Sequence, residues 1–433
     1  MSDWEQITLG DLQTRGRPKV AVPPQAGSRT SMSDWRQVAL SEVVTRVTAK
    51  NDDGTNQNVL TVSAEHGLIA QESFFTKKVA SKDTSGYYVV APGQFVYNKS
   101  TSRSAAYGTV ARNLRDEPGI VSPLYFVFEA KEGAALPEYL ELALNSDQFF
   151  GSLAGMLREG ARSHGALNVR LGEFYAATVT LPPASMQERI VKVISAVDDQ
   201  IIALDAEAGA LAAVLRRRRA DLITDDSVEV MRAEHAFDFS TGVRRTPDRA
   251  VGPYMTPYLR SANVGYGTLD LSDVLEMNYD PAERKKFGLQ YGDVVVSEGS
   301  ASANAVGMPA MWRDELPAPV CTQMTLLRLR ALEGVCIPEF VFHWSMWAYE
   351  SRAFLDVAGG TNIKHISAKR AKGMAVRLPS LDRQREMAVE LDAMESALEA
   401  TRAEAARLRE VRAGLLSGLL DRTIDIESAE LGV

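Results

Sequence analysis

Apolar residues recur at alternating steps of four and three positions in two long stretches of this chain. The first stretch follows Leu181-Pro182 and Gln187, and the second follows Leu378-Pro379 and Gln384, which stands 197 positions after Gln187. A repeat of about 3.5 residues is the pattern of a coiled-coil seam. The chain is therefore predicted to contain two halves, each a globular domain followed by a long amphipathic helix. The predicted seam residues are Ile190, Ile194, Val197, Ile201, Leu204, Leu211, Met387, Leu391, Met394, Leu398, Leu408 and Leu415.

The starts and the direction of the two helices can also be predicted. Ser185 and Asp382 are suitable N-caps, and Glu188 would complete a capping box with Ser185. Each helix would have about 37 residues and a length of roughly 55 Å. If the helices were parallel, the two ends of the intervening domain would have to lie about one helix length, roughly 55 Å, apart. A compact domain of this size usually has its ends closer together. The helices are therefore predicted to be antiparallel, with one globular domain at each end.

The two globular domains have a similar predicted layout. Short strand-like runs such as 87–90 and 124–128 alternate with Gly and Pro turns, and a helix is predicted from Pro137 to about Leu157. In the second half, Pro338 opens a helix as Pro137 does in the first. The predicted fold class is α+β, with two mixed α/β domains separated by two long antiparallel coiled-coil helices in a pseudo-twofold internal repeat.

The predicted boundaries follow from these elements. The segments are an N-terminal extension at 1–31, expected to be disordered, a first globular domain at 32–184, a central spacer helix at 185–226, a second globular domain at 227–381, a distal spacer helix at 382–422 and a C-terminal tail at 423–433. The extension opens with Met1-Ser2-Asp3-Trp4, which is repeated as Met32-Ser33-Asp34-Trp35. Gly and Pro in the residues between the two copies favour a mobile linker.

Bulk composition narrows the class of protein. A formal net charge of −8 over 433 residues argues against general nucleic-acid affinity, but such an average can conceal basic patches. Cys321 and Cys336 are too few for a metal quartet and are expected to be buried thiols. No apolar run is long enough to span a membrane and no signal peptide opens the sequence, so a cytoplasmic location is expected.

Catalytic motifs are sparse. No phosphate-binding Gly-x-x-x-x-Gly-Lys-Ser/Thr loop and no Asn/Asp-Pro-Pro-Tyr/Phe methylation tetrad occurs. A nuclease-like pattern can be assembled from Pro247-Asp248 and Glu283-Arg284-Lys285, but a solvated charged loop explains these residues better. The five histidines are scattered along the chain, so neither a catalytic residue nor a metal ligand is assigned.

Local charge points to nucleic acid instead. Residues 73–115 carry a net charge of +6, and residues 359–377 carry five cations and no acid. Lysine and arginine suit phosphates, whereas Asn, Ser and Arg can reach base edges. An ordinary solvated surface remains the alternative for these patches. The candidate DNA-contact residues are Lys77, Lys78, Lys99, Ser100, Arg103, Tyr107, Arg112, Arg162, Arg244, Arg245, Arg260, Asn263, Asn362, Lys364, His365 and Lys369.

The run Arg216-Arg217-Arg218-Arg219 belongs to the last turns of the first helix, where cations favour the helix dipole. It is predicted to form a solvated or partner-facing surface, with phosphate binding as the second interpretation.

The doubled arrangement resembles a known family. Two variable α/β domains, each followed by Leu-Pro, a glutamine and a long heptad helix, are similar to the DNA-specificity subunit (S subunit, HsdS) of type I restriction-modification systems. The segment Trp35-Arg36-Gln37-Val38 resembles the usual start of that subunit, which makes Met32 a plausible alternative initiation site. Gly359-Gly360-Thr361 resembles the small-residue turn before the helix, whereas the first half has Gly160-Ala161-Arg162. The resemblance covers residues 32–425.

The resemblance implies a function. Each globular domain would be a target recognition domain for one half of a split site in double-stranded DNA. The helices would set the gap between the half-sites and dock two methyltransferase (M) subunits, and a restriction (R) subunit would join them for cleavage. S-adenosylmethionine, ATP and Mg would bind those partners, leaving this chain without cofactor, metal or catalytic residue. The alternatives are a coiled-coil protein-interaction scaffold and a self-contained DNA methyltransferase or nuclease.

Overall fold

A computed structural model describes residues 34–63, 66–74, 81, 83–100, 107–156, 162–163, 166–167, 169–300, 302, 304–360 and 364–424. The chain divides into two compact units. The first comprises the described residues up to 194 together with those from 414, and the second comprises residues 195–413. The predicted N-terminal extension at 1–31 lies outside the described residues.

The first unit contains most of its elements before the first long helix. Its strands are β1 (Arg36–Ala39), β2 (Val44–Arg46), β3 (Leu60–Ser63), β4 (Gly67–Ala70), β5 (Tyr88–Val90), β6 (Phe95–Asn98), β7 (Thr109–Arg112), β8 (Gly119–Val121), β9 (Phe126–Ala130), β10 (Arg162–Ser163), β11 (Ala166–Leu167) and β12 (Thr178–Leu181). Its short helices are α1 (Leu40–Val43), α2 (Gln71–Phe74), α3 (Pro137–Leu144), α4 (Asp147–Ala154) and α5 (Leu171–Ala176).

The second unit lies between two long helices, α6 (Ala184–Ile223) and α11 (Leu381–Leu420), which both continue into the first unit. Its strands are β13 (Val230–Arg232), β14 (Phe237–Thr241), β15 (Met255–Leu259), β16 (Leu275–Asn278), β17 (Val294–Ser297), β18 (Gly299–Ser300), β19 (Pro309–Met311), β20 (Cys321–Thr322), β21 (Leu326–Ala331), β22 (Lys364–His365) and β23 (Ala375–Arg377). Its short helices are α7 (Pro281–Phe287), α8 (Pro338–Glu350), α9 (Ala353–Val357) and α10 (Ala368–Lys372).

The sheets of the two units repeat one topology. An antiparallel sheet of order β2-β9-β6-β7 in the first unit corresponds to β14-β21-β17-β19 in the second. A two-stranded ribbon, β1 with β12 or β13 with β23, leads directly into each long helix. The internal repeat predicted from the sequence is therefore present in the strand connections, and the α+β fold class is confirmed.

Two pairs of glycines mark equivalent turns in these sheets. Gly93 precedes β6 and Gly292 precedes β17, with φ of 82° and 85°. Gly108 and Gly307 precede β7 and β19, with φ of 86° and 83°. A side chain at Gly108 would approach the Asn98 carbonyl oxygen to 2.3 Å, so only glycine fits this turn.

Aromatic side chains fill the core on one face of each four-stranded sheet. Phe95 and Phe128 stack in the first unit with ring centroids 5.4 Å apart, and Phe174 packs against the same cluster. In the second unit Phe237 packs on Trp344 of α8 at 5.1 Å. Each aromatic pair of this kind adds about 0.5–1.5 kcal/mol to the stabilisation from the area that it buries.

The long helices run antiparallel where they pair inside the second unit. Ion pairs join Asp198 to Arg412, Asp205 to Arg409 and Arg218 to Glu390, so residue numbers rise along α6 as they fall along α11. The predicted seam residues of both helices are buried or half-buried. Ile190 and Ile194 share a core cluster of the first unit with the predicted seam residue Leu415. The predicted antiparallel orientation is confirmed.

The caps of these helices differ from the prediction. The carbonyl of Pro183 accepts from the Gln187 amide at 3.0 Å, and the carbonyl of Ser380 accepts from the Gln384 amide at 2.9 Å. Both helices therefore begin two residues earlier than predicted, and Ser185 and Asp382 lie inside the first turn. The register of 197 residues holds nonetheless, since Ser380 stands 197 positions after Pro183.

The repeated glutamine fastens each long helix to its globular domain. Gln187 is buried; its Oε1 accepts from the Leu136 amide at 2.8 Å and its Nε2 donates to the Pro182 carbonyl at 2.9 Å. Gln384 Oε1 accepts from the Ile337 amide at 3.0 Å, and its Nε2 donates to the carbonyls of Val335 and Pro379. Leu136 and Ile337 directly precede the prolines that open α3 and α8, so one amide side chain joins two helix starts.

The single helix predicted from Pro137 to about Leu157 is two helices. Asn145 interrupts it because its Nδ2 donates to the Val110 carbonyl at 2.8 Å and its Oδ1 accepts from the Val110 amide at 3.0 Å. Ser146 then caps α4 by accepting from the Phe149 amide at 3.2 Å. The prediction was wrong because these side chains prefer caps and turns over a helix interior.

The remaining predictions at this level concern single groups. Cys321 and Cys336 are free and buried, as predicted. Among the described residues, no helix combines the length and the apolar character that a membrane span requires.

Candidate nucleic-acid interface

Two predicted DNA-contact residues of the first unit, Lys99 and Ser100, begin the connection between β6 and β7. Lys99 directly follows β6, and its Nζ lies 5.5 Å from the centre of the Phe126 ring. The next residue, Ser100, is exposed, and its amide donates to Asn98 Oδ1 at 3.0 Å. Of the other candidates, Lys77, Lys78, Arg103 and Asn362 lie outside the described residues.

The second unit has the corresponding connection between β17 and β19. Here β18 pairs with β22, so that Gly299 lies opposite His365 and Ser300 opposite Lys364. A side chain at position 299 would meet His365 Nδ1 at 2.4 Å, so this strand can approach the imidazole only because it carries glycine. The His365 amide and carbonyl both bond to Gly359, at 2.8 and 2.9 Å. The candidates Lys364, His365 and Lys369 are thereby fixed on one short ribbon and the helix that follows it.

Exposure differs among those three residues. His365 and Lys369 are exposed, whereas Lys364 is half-buried. Lys369 lies on α10, whose first turn is capped by Ser367 Oγ accepting from the Arg370 amide at 3.4 Å. The ribbon and α10 therefore present one imidazole and one flexible ammonium group to solvent.

One acid lies within this basic surface. Glu298 immediately precedes β18 and is half-buried; burial raises its pKa above the ordinary value, and His365 acts in the opposite direction. Its carbonyl accepts from the Ile366 amide at 2.8 Å, which ties it to the ribbon. Glu298 therefore offers a hydrogen-bond acceptor near the His365 imidazole, and an acceptor together with a donor can distinguish base edges.

The first unit repeats this arrangement in outline. Arg162 belongs to β10, which pairs with β11 so that Arg162 lies opposite Leu167. That ribbon precedes α5 as β22 precedes α10. In both units predicted residues therefore lie on the short ribbon before the last short helix, and in the first unit Lys99 and Ser100 also lie on the connection after the second core strand.

Arg112 forms two ion pairs within the first unit. Its guanidinium pairs with Glu138 at 2.6 Å and with Glu141 at 3.3 Å, and its side chain is only 13% exposed. These ion pairs fasten β7 to α3. A DNA contact stays a prediction for Arg112, and it would require a phosphate to displace both carboxylates.

Asn263 and Arg260 are also structural. Asn263 is buried, its Oδ1 accepts from the Arg260 amide at 3.0 Å, and its Nδ2 donates to the carbonyls of Asp270 and Asp273. Arg260 pairs with Asp273. The amide of Asn263 is fully used in shaping this loop, which corrects the prediction that it reads base edges.

Tyr107 packs inward, with its ring 6.0 Å from that of Phe150 and its carbonyl accepting from the Tyr97 hydroxyl at 2.7 Å. The packing of Tyr107 shows how an interleaved tyrosine in a basic segment can contribute to the core.

Arg244 and Arg245 are exposed on the loop after β14, and a DNA contact stays a prediction for them.

The arginine run on α6 is the largest departure from the sequence prediction. Arg219 is 1% exposed; its Nη1 bonds to Glu350 Oε1 at 2.5 Å and its Nη2 to Glu395. Arg218 pairs with Glu390 and Arg217 with Asp221. A solvated surface was wrong for Arg219, because it is buried and ion-paired with two carboxylates where α6, α8 and α11 meet.

This buried network adjoins a triad with metal-ligand chemistry. Potential ligand atoms of His343, Asp392 and Glu395 lie within 4.8 Å of one another, and His343 Nε2 is 3.0 Å from Asp392 Oδ1. Glu395 is already bonded to Arg219, whose positive charge would repel a cation at the same position. The triad is better explained as part of the ion-pair network than as a metal site.

Comparison with known proteins rests on structure alone. No protein-family model and no curated protein sequence matches this chain. A solved structure concerning complex assembly and conformational transition of the type I R-M system is 16% identical, with a TM-score of 0.59, over 93% of this chain and 99% of that chain. The HsdS subunit from Thermoanaerobacter tengcongensis is 16% identical with a TM-score of 0.43, over 90% and 97% of the two chains. The S subunit of a type I restriction-modification system from M. genitalium is 12% identical with a TM-score of 0.48, over 92% and 98%. The first of these similarities shows that this chain has the fold of a type I R-M system protein along nearly its whole length.

Proposed function

We propose that this chain is the DNA-specificity subunit of a type I restriction-modification complex. The observation that carries the proposal is that two topologically matching units each place predicted DNA-binding residues on the short ribbon before the last short helix. Arg162 lies on β10 in the first unit, and Lys364 and His365 lie on β22 in the second. Two modules with the same framework suit a DNA site read in two halves.

Each unit would combine positioning with base recognition. Lys364 and Lys369 in the second unit, and Lys99 in the first, would bind phosphates, which orient a protein on the duplex without reading its sequence. Ser100 and His365 carry shorter polar groups that can reach base edges. Arg162, Arg244 and Arg245 remain candidates for either role.

The long helices would set the gap between the half-sites and dock the partner subunits. On α6 the side away from the seam carries Ile202, which is 65% exposed, followed by the exposed small residues Ala206, Gly209 and Ala210. Val389 on α11 is 72% exposed. Exposed apolar positions beside small residues allow a second protein to approach a helix closely, so we assign methyltransferase docking to these faces.

Catalysis would belong to the partners. Two methyltransferase subunits would hold S-adenosylmethionine, and a restriction subunit would use ATP and Mg. This chain would contribute specificity and no catalytic residue of its own.

A charge-removal experiment tests the DNA-binding assignment. The double variant Lys364→Gln/Lys369→Gln in the assembled complex is expected to weaken DNA binding and to reduce the slope of log K against log salt by about 0.9 for each phosphate that is no longer neutralised. Lys285→Gln, an exposed lysine on α7, is the matched control and should leave the slope unchanged. Equal salt slopes for the double variant and the parent, with both folded, would contradict the assignment.

A further inference from the structure

A cavity of about 370 Å³ lies in the second unit beside the end of α8. Its volume is within the range of small-ligand sites, roughly 300–1,000 Å³. The residues that line it and matter here are Arg216, Tyr266, Asn304, Tyr349, Glu350 and Arg352.

The charge of the cavity is positive. Glu350 is ion-paired with Arg219, which it shares with Glu395, and it also accepts from the Tyr266 hydroxyl. Arg216 and Arg352 are both exposed, and no carboxylate in the described part of the chain forms an ion pair with either of them. Two guanidinium groups therefore remain to bind an anion, and guanidinium is the side chain best suited to hold a phosphate in two hydrogen bonds.

Two aromatic rings accompany these cations. The rings of Tyr266 and Tyr349 lie 5.8 Å apart at an angle of 51°. Their hydroxyls are both engaged, that of Tyr349 donating to the Asn304 carbonyl at 2.6 Å and that of Tyr266 to Glu350. Since the polar ends of these side chains are occupied, what the tyrosines can still offer a ligand is an aromatic face.

The backbone at Arg352 is unusual for its residue type. Arg352 has φ of 67°, in the left-handed region, at the turn between α8 and α9. Its amide donates to the Tyr349 carbonyl at 3.0 Å and its carbonyl accepts from the Asp356 amide at 2.9 Å. Glycine would fit this turn with less strain, and strained residues are concentrated at functional sites.

We propose that this cavity is a nucleotide-binding site, in which Arg216 and Arg352 hold the phosphate and the base packs against Tyr266 and Tyr349. Base stacking on aromatic side chains tolerates any base, so the site would not select sequence. The same chemistry is supplied by a free nucleoside monophosphate and by a nucleotide of a DNA strand. The proposal does not depend on the specificity-subunit function, because it rests on the cavity alone.

Calorimetric titration of the full chain with AMP, adenosine and inorganic phosphate tests the site. AMP is expected to bind at least about tenfold more tightly than adenosine or phosphate, because only AMP offers both a base and a phosphate. Equal affinity for AMP and phosphate, or no binding of AMP at millimolar concentration, would overturn the proposal.

Two variants and a control assign the binding to the cavity. Arg352→Gly removes one guanidinium while relieving the strained backbone, and Arg216→Gln removes the other. Each is expected to weaken AMP binding about tenfold or more, the usual effect of removing a charge-assisted hydrogen bond. Arg402→Gln, an exposed arginine on α11, should have no effect. Unchanged affinity in both cavity variants would refute the assignment even if AMP binds elsewhere.

A short single-stranded oligonucleotide distinguishes the two sources of the ligand. Competition of a tetranucleotide with AMP, abolished in Arg352→Gly, would identify DNA as the source, whereas AMP binding without competition would identify a free nucleotide. Salt-dependent binding of duplex DNA by the complex is measured separately, so failure of this site leaves the specificity-subunit proposal untouched.

Discussion

At the scale of single residues, this chain uses polar side chains chiefly to join elements. Gln187 and Gln384 look like part of a family signature in the sequence, and the structure explains them by burial and hydrogen bonding. The same holds for Asn263, which was predicted to bind DNA and instead fastens a loop, and the ion pairs of Arg112 fasten a strand to a helix. A polar residue in a promising pattern is therefore informative about function only when its hydrogen-bonding groups remain free.

Substitution of the repeated glutamine should destabilise the protein. Gln384→Ala leaves the half-buried Ile337 amide without its partner, and a buried unsatisfied group costs about 1–3 kcal/mol. The free energy of unfolding, measured by urea titration, is expected to fall by about 1–3 kcal/mol. Gln200→Ala, at an exposed position of α6, provides the control. A change for Gln384→Ala no larger than that of the control would refute this fastening role.

Removal of the buried arginine should be more damaging and should depend on pH. Arg219→Met leaves Glu350 and Glu395 buried without their cation, a type of change that costs about 3–5 kcal/mol. Burial raises the pKa of Glu395 above its ordinary value of 4.5, although His343 and Arg219 act in the opposite direction. Because the folded state binds the Glu395 proton more tightly than the unfolded state does, protonation of Glu395 stabilises the folded state. This stabilisation is fully present below a pH of 4.5 and is lost as the pH rises through the pKa of Glu395 in the folded state.

Substitution of Arg219 takes away one of the charges that lower the pKa of Glu395, so the pKa should rise further. The destabilisation by Arg219→Met is therefore expected to be smaller at about pH 5 than at about pH 8, as measured by unfolding at both values. Arg402→Met is the control at an exposed position. A larger destabilisation at the lower pH would contradict this account of the network.

At the scale of elements, the long helices follow the heptad pattern closely. The seam from Ile190 to Leu211, and its counterpart from Met387 to Leu408, is buried or half-buried throughout. Cross-helix pairs such as Asp198 with Arg412 add little stability at the surface, about 0–1 kcal/mol each, but they fit one register of the antiparallel pair. Apolar burial therefore holds the helices together, and charge favours their alignment.

Lengthening both helices should change the DNA site in a defined way if the proposed function holds. Seven residues inserted after Ala206 and seven after Ala405 preserve the phase of the seam and add roughly 10 Å to each helix. The unspecified gap is expected to grow by about three base pairs, at about 3.4 Å per base pair, with both half-sites kept. Mapping methylated positions in a host expressing the complex measures the gap. Replacing one existing heptad without changing length is the control, and an unchanged gap in the lengthened protein would refute the spacer role.

At the scale of the whole molecule, the chain is a duplication in which each unit carries a complete four-stranded sheet, a helix start fastened by glutamine and an exposed connection. The topologies match even though the sequences of the two domains differ widely. Units that keep their framework and vary their connections are suited to independent specificities.

Exchange of one unit should therefore change half of the recognised sequence. Replacing residues 32–184 with the corresponding domain of another specificity subunit is expected to alter one half-site and to leave the other half-site intact. Methylome mapping gives the result directly, and the reciprocal exchange of residues 227–381 serves as its control. If both halves of the recognised sequence changed together, independent recognition by the two units would be wrong.

The sequence by itself determined the features that repeat along the chain. Heptad spacing identified the long helices, their seam and their duplication, because an apolar stripe of constant period is a local property of a helix. Antiparallel pairing also followed, because the chain between the helices is too compact to bridge their far ends. The caps were misplaced by two residues, because Ser185 and Asp382 are favoured N-cap residue types, whereas Pro183 has no side-chain acceptor that would mark it as a cap.

Only the tertiary structure decided which polar groups remain free. Arg219 and Arg216 lie in one run, yet the first is buried between two carboxylates and the second lines a cavity. Glu350 and Glu395 are distant from both in sequence, so no local pattern could have assigned them. The physical reason is that the partner of a charge is chosen by long-range packing, whereas the period of a helix is already present in its own residues.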